Sequence, residues 1–348
     1  MTAKLVRAVK PEKAVKPERV AKWDNVRVIL ILLVVVGHVL RPYAENVATV
    51  NGLSYFIYLF HMPAFVLVSG MFSKRAVREK RYDRVFTFLV LYFLIKCGSY
   101  FIELAIYGTR RLSFSVELGT AWYALAMVYY YLAMMFLRRF SRRYVILFSI
   151  VLGCIAGYAK DLNSFLVLSR AFVFFPFFVI GYYMNPAKIA VFVKKRWVQI
   201  AAVAIVAVFL FLSLRYAQEL DWTDILLKGK VGYKKLSYFE EWGGLLRLAH
   251  YGAALLLTFA VFALAPSVKL PFSYIGERTM SIYALHYICI ELFYDVFGAE
   301  RLAKQLVGRY YLVVFVLFAV LLTWVLSLKP FDRFVRMITI PKKEESNG

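Results

Sequence analysis

The stretch WDNVRVILILLVVVGHVLR, residues 23–41, decides how the rest of the chain is read. It opens on polar residues, runs apolar from Val28 to Val36, and then sets His38 directly after Gly37. Arg27 stands eleven positions before His38. On a helix that separation is about 16 Å along the axis, roughly half the hydrocarbon thickness of a bilayer. About three turns fit into it, so the two side chains share a face. One face thus carries a fixed cation near one membrane surface and a titratable imidazole near mid-bilayer. Polar groups at that depth are costly unless they face protein or water, and they mark a functional path by default.

Composition agrees with a membrane chain. Of 348 residues, 62% are hydrophobic, and the mean hydropathy is +0.65. An ordinary soluble domain is excluded, and an all-α, polytopic integral membrane protein is expected. The net charge of +23 does not point to nucleic acid, because the basic residues sit in short segments between apolar runs, as topology signals do. Cys97, Cys154 and Cys289 lie inside apolar runs with no metal-type spacing, and read as buried thiols. No metal site is expected.

Apolar windows fall at about 26–42, 52–73, 85–107, 121–137, 144–159, 170–184, 198–214, 244–264, 279–298 and 309–328, which predicts ten transmembrane helices. With the amino terminus inside, cytoplasmic segments carry 29 Lys and Arg and outer segments 13. That bias predicts both termini in the cytoplasm of a multi-pass cell-membrane protein. Residues 1–22 are basic, Pro-punctuated and without a signal-peptide core, and read as a disordered cytoplasmic tail. The membrane domain is expected over 23–330 and a second cytoplasmic tail over 331–348. The longest outer segment, 215–243, is mixed in charge and rich in aromatics. It suits a carbohydrate or headgroup acceptor, or a plain interfacial belt of Trp and Tyr.

All four histidines, His38, His61, His250 and His286, fall within predicted spans. His250 and His286 read as hydrogen-bonded packing residues. His38 and His61 lie at matching depth in consecutive helices and are expected to form a proton-handling pair. Pro63, two residues after His61, frees a backbone carbonyl and opens the helix locally. Following the second span, Arg75, Arg78, Arg81 and Arg84 recur every three residues as a cationic strip. Such forks match phosphate, on a cytosolic ligand or on lipid. Arg170, Lys96, Glu103, Glu291 and Asp295 are charges at or in the membrane without an assigned role. No Walker loop, zinc-protease His pair or GxSxG elbow is present.

These residues resemble the membrane-bound acyltransferase-3 family, and its fucose 4-O-acetylase-like branch in particular. The resemblance rests on Asp24 and the Arg27-x10-His38 motif, FHMPAFVLVSGMF at 60–72 and the Arg81-x-x-Arg84 pair. AWYALAMV at 121–128, RAFVFFPFFVIGYYM at 170–184 and GERTMSIYALH at 276–286 extend it over most of the chain. It implies ten helices that take an acyl group from cytosolic acyl-CoA, usually acetyl-CoA, and pass it to a sugar hydroxyl of an outer glycan or lipid-linked sugar. By the same resemblance His38 is the essential histidine, Arg27 its partner, and Arg81 and Arg84 hold the CoA; Arg27 is expected to join them in binding the acyl-CoA. His61 is a further candidate for proton transfer. Partners in glycan synthesis are expected besides the bilayer. O-succinyl transfer, a glycan transporter or flippase, and a structural partner in a glycan-synthesis complex stay open as alternatives.

Overall fold

The computed structural model describes residues 21–43, 47–109, 112–116, 119–159, 165–296, 298 and 310–340. Among them, thirteen α-helices account for the architecture, and the sole bridge between extended residues joins Val116 and Phe165. In chain order the helices are α1 (Ala21–Leu40), α2 (Ala48–Arg78), α3 (Tyr82–Tyr107), α4 (Trp122–Leu137), α5 (Arg142–Ile155), α6 (Leu168–Tyr183) and α7 (Pro186–Phe192). They continue as α8 (Arg196–Arg215), α9 (Asp224–Lys228), α10 (Gly243–Leu264), α11 (Thr279–Asp295), α12 (Tyr311–Leu326) and α13 (Lys329–Thr339).

Each of the ten apolar windows falls on a helix. Five helices are long and apolar enough to cross a membrane, or six if α12 and α13, which meet at a 61° bend, form one broken span. Hydropathy windows record apolarity and not helix length. The helices α4, α5, α6, α11 and α12 have 14 to 17 residues, short of the roughly 20 that a straight crossing requires.

At the centre α2 packs along α6, and the reason is glycine. A Cβ on Gly70 would strike the Phe178 carbonyl oxygen, and one on Gly181 would strike the Leu67 carbonyl oxygen. Each helix thus lets the other's backbone in, which is how helices associate in lipid, where no hydrophobic force draws them together. Around this pair, α1, α4 and α10 bury Leu30, Met127, Tyr130, Leu257 and Phe262 in one apolar cluster. A second cluster joins α1 to α11 and α12 through Ile31, Val35, Ile282, Ile290 and Phe315.

Both expected tail boundaries fall inside helices. Helix α1 begins at Ala21, and Lys22 is 1% exposed with its Nζ donating to the Ala265 carbonyl at 2.9 Å. Asn25 donates to the Pro266 and Val268 carbonyls, both at 2.9 Å, and accepts from Ser273 at 2.5 Å. The near end of α1 is therefore clamped to the loop after α10. The remainder of the expected amino-terminal tail, 1–20, lies outside the described residues. At the other terminus α13 covers the first half of the segment read as a tail, 331–339, and 341–348 lie outside the described residues. Val335 and Thr339 of α13 are buried, while Phe334, Met337 and Ile338 are exposed.

Substituting Gly181 by valine should lower the thermal unfolding midpoint, because overpacking of this kind costs about 1–3 kcal/mol. Gly252→Ala, with nothing within 4 Å of the new Cβ, should leave the midpoint unchanged or raise it. Equal losses at both positions would contradict the close-contact account of the α2–α6 pair.

Candidate active site

Helix α1 connects two chambers. At its Arg27 end is a cavity of about 150 Å³ lined by Arg27, Phe65, Ser69, Phe88, Tyr123 and Tyr283 among others. Arg27 is held there by Asp24 at 3.2 Å, and its guanidinium lies 4.5 Å from the Phe72 ring centroid. Asp24 precedes it by three residues, so the pair follows from helical spacing alone. At the other end a cavity of about 220 Å³ is lined by His38, Arg41, Tyr58, His61, Thr120, Arg170, Lys230 and Tyr287 among others. The two chambers share no lining residue.

Two tyrosines stand between them. The Tyr123 and Tyr283 rings are 5.2 Å apart edge to face. Tyr123 pairs its hydroxyl with Ser69 at 2.7 Å, and Tyr283 donates to the Thr120 carbonyl at 2.6 Å. Hydrogen bonds of this kind hold both rings in place while each presents a flat apolar face.

The histidines divide by what their nitrogens do. Pro63 has no N–H, so the Leu59 carbonyl one turn back loses its helical donor. His250 Nε2 lies 3.3 Å from that carbonyl, and His250 Nδ1 lies 3.4 Å from an Arg247 nitrogen. Arginine only donates, so Nδ1 accepts and Nε2 carries the proton. His250 is the packing residue expected from the sequence. His61 is buried with Nδ1 on the Ile57 carbonyl at 2.7 Å, and it lines the His38 cavity.

The expected His38–His61 pair is arranged differently. Tyr58 lies between them, its ring 6.3 Å from His38 and 4.8 Å from His61. The imidazole in ring contact with His38 is His286, with centroids 5.3 Å apart. His286 is fully buried and directs Nδ1 at the Ile282 and Tyr283 carbonyls, both at 3.0 Å. That fixes the proton on Nδ1 and leaves Nε2 with a lone pair and no partner among the described residues. His286 is hydrogen-bonded and buried, as a packing residue is expected to be, and its ring also meets His38. His38 is half-buried and makes no hydrogen bond among the described residues.

Arg81 and Arg84 do not line the Arg27 chamber. Arg81 sits at the start of α3 and makes a double contact with Asp83, at 2.6 and 3.2 Å, while Arg84 is exposed. Their place on the helix is nonetheless informative. Arg84, Phe88 and Leu91 follow one another at spacings of four and three along one face of α3, and Phe88 and Leu91 line the Arg27 chamber. Arg84 therefore lies about one turn below the chamber on the same helix face, and Arg81 caps the helix just before it.

Beyond His38 the 220 Å³ cavity adjoins a vestibule of about 690 Å³, with Arg41, Tyr58 and Lys228 common to both. The vestibule's other walls include Asn51, Tyr55, Gln218, Asp221 and Asp224. Asp221 accepts from Tyr55 at 2.5 Å and from Asn51 at 3.1 Å. The long segment after α8 thus folds inward: Leu226 and Leu227 are buried, although Tyr238 and Trp242 remain exposed as a belt would be. On another side, through Gly119, Thr120 and Tyr287, the His38 cavity meets a chamber of about 250 Å³ that holds Lys96, Glu103 and Glu291. Arg170, Lys228 and Lys230 thus join the site by folding alone. Their sequence signal was only that charged residues bracket the sixth span and fill the longest outer loop.

The acyltransferase-3 family model, described as an acyltransferase domain, matches residues 20–328. The chain belongs to that family. It is a membrane acyltransferase, and the match takes in both chambers, all four histidines and the arginine pair of α3. No curated protein matches the chain, and no solved structure matches it.

Within this acyltransferase, burial and the nearby Arg170, Arg41 and Lys228 push the Lys230 amine from 10.5 down to about 8. A lysine whose pKa falls on folding leaves the unfolded chain with more bound protons between those values, so stability should rise with pH across that window. Lys230→Met should abolish that rise and should not lower the thermal midpoint at pH 7. A variant destabilised equally at pH 7 and pH 10 would contradict this origin of the shift.

Proposed function

We propose that the enzyme transfers an acetyl group from cytosolic acetyl-CoA to a sugar hydroxyl of an extracytoplasmic glycan, as in the fucose 4-O-acetylase-like branch. In this reading ten helices cross the cell membrane, five of them short or tilted, and both termini lie in the cytoplasm. The observation that carries it is the pair of chambers on one face of α1, Arg27 in one and His38 in the other, with a tyrosine pair between. An extended pantetheine arm suits that span of about 16 Å.

The phosphates of CoA rest against Arg81 and Arg84 at the foot of α3, whose planar forks match phosphate oxygens. The pantetheine passes Arg27, displaces Tyr123 or Tyr283, and brings the thioester carbonyl to His38. An acceptor sugar enters from the vestibule. His38 takes the hydroxyl proton as the sugar oxygen attacks the carbonyl carbon; the carbon–sulfur bond breaks, and the thiolate of CoA takes that proton back. The lone pair on His286 Nε2 accepts a hydrogen bond from the protonated nitrogen of His38, leaving the other nitrogen free to act. An acyl group resting briefly on His38 fits the same geometry. O-succinyl transfer is the second reading, favoured by the cations around the cavity that receives the acyl group.

Replacing Arg84 by alanine should raise the KM for acetyl-CoA about tenfold, the loss of one charge-assisted contact. The KM for the sugar should stay within about twofold. Steady-state kinetics on protein in nanodiscs reads both, and equal rises in the two constants would contradict CoA binding at α3.

A further inference from the structure

Helix α13, KPFDRFVRMIT, carries four charged residues in eleven: Lys329, Asp332, Arg333 and Arg336. A helix of that length spans about 16 Å and does not cross a bilayer. Its charges also exclude it from the hydrocarbon core as the second half of a broken span. Its role must therefore be read from how it is held and which faces it shows.

The bend before it is built by specific contacts. Pro330 has no N–H to give the Leu326 carbonyl one turn back, and Ser281 donates to that carbonyl instead at 2.9 Å. Arg278 donates to the Ser327 carbonyl at 2.8 Å. With these carbonyls satisfied from α11, α13 leaves α12 at 61°. Its inner side is then fixed to the start of α11. Val335 and Thr339 are buried, and the Thr339 hydroxyl lies 3.7 Å from Met280 Sδ. Arg336 pairs with Asp332 and donates to the Glu277 carbonyl at 3.1 Å. Met280 lines the Arg27 chamber, so α13 lies on that side of the bundle.

Two outward faces remain. Phe334, with Met337 three and Ile338 four residues on, forms an exposed apolar row. Lys329 and Arg333, four apart, are exposed on the adjoining face, and neither has an ion pair among the described residues. Beside the start of α13 runs an open groove of about 420 Å³ lined by Tyr274, Arg278, Leu328, Lys329 and Pro330. Three of those five residues are apolar or aromatic, and two are cations. An apolar row flanked by cations is the pattern of a helix lying in a membrane surface rich in anionic lipid. The row also continues a surface already turned to lipid, since Val320, Leu321 and Trp324 of α12 are exposed above the bend. A second copy docked by the same face would set like charges against each other.

We propose that α13 lies in the plane of the membrane surface and that the groove at its start holds an anionic phospholipid. Phe334, Met337 and Ile338 enter the upper acyl layer, and Arg333 meets the headgroups. The bound lipid lays an acyl chain along Tyr274, Leu328 and Pro330, with its phosphate beside Lys329 and Arg278, cations that suit phosphate oxygens.

Two measurements on the full chain in nanodiscs test this, and neither needs turnover, so the acyltransferase mechanism can fail without deciding them. The first is the fluorescence that Phe334→Trp adds to the six native tryptophans, read with lipids brominated near the top or near the end of the acyl chain. The added signal should be quenched more strongly by the shallow bromines. No quenching at either depth, or stronger quenching by the deep bromines, would overturn the in-plane placement.

The second is native mass spectrometry of protein released from equal mixtures of phosphatidylglycerol and phosphatidylcholine. Wild type should retain phosphatidylglycerol about tenfold over phosphatidylcholine. Lys329→Gln should lower that preference about fivefold, as expected for one cation at an anionic surface, and Lys329→Arg should keep it. Monodisperse elution and the thermal midpoint check that the variants are folded. Equal retention of the two lipids, or a preference that Lys329→Gln leaves intact, would overturn the lipid site. Dimeric elution that Phe334→Asp makes monomeric would assign the apolar row to a second copy and overturn the proposal.

Discussion

A polar group inside an apolar bundle must find its partner within the protein, because lipid offers none. Most of this structure can be read as the discharge of that requirement. Pro63 bares the Leu59 carbonyl, and His250 meets it from α10. His61 gives its Nδ1 to Ile57, and His286 gives its own to Ile282 and Tyr283. Asn25 and Lys22 tie the near end of α1 to the carbonyls after α10. Against that background His38 stands apart: half-buried, facing a cavity, and without a hydrogen bond among the described residues. A residue that breaks the rule at this depth is a functional-site candidate by default.

On the proposed reaction, the arrangement around α1 would let one small bundle handle a donor and an acceptor from opposite sides. Neither chamber is large, and each has its own charge. Arg27 and the arginine stripe of α3 face one way, and the cations around His38 face the other. On the same proposal, the Tyr123–Tyr283 contact would keep acceptor water from the thioester until the arm itself moves the rings. A closed divider of this kind limits wasteful hydrolysis of an activated acyl group. The glycine contact between α2 and α6 supplies the rigid floor for both chambers, since α2 carries Phe65 and Ser69 to one and Tyr58 and His61 to the other.

How much of this was legible in the sequence depends on how local each feature is. Arg27 and His38 share a helix, so the helical repeat alone places them on one face, and the family match over 20–328 agrees with the motifs that carried the resemblance. The nature of His286 was hidden because its contact with His38 is tertiary, made when α11 docks on α1. Arg170, Lys228 and Lys230 were visible only as charges in a span end and a loop, since nothing local says that the loop folds inward over Leu226 and Leu227. The ten windows measure apolarity without knowing where a helix stops, so the five shorter helices were not distinguishable in the sequence from the five long enough to cross a membrane by length and composition. Helix α13 was read as a tail although KPFDRFVRMIT places Asp332 four residues before Arg336, a pairing the structure makes at 2.8 Å.

The central claim is that one protein carries an acyl group from a donor on one side of a membrane to an acceptor on the other, through His38. The most direct measurement seals the enzyme in oriented liposomes, with radiolabelled acetyl-CoA and succinyl-CoA offered in turn at the Arg27 side and a mixture of sugar acceptors at the other. The account predicts label on the acceptor with wild type, and none above background with His38→Ala in protein of normal elution and thermal midpoint. Label that crosses equally well with His38→Ala would contradict it.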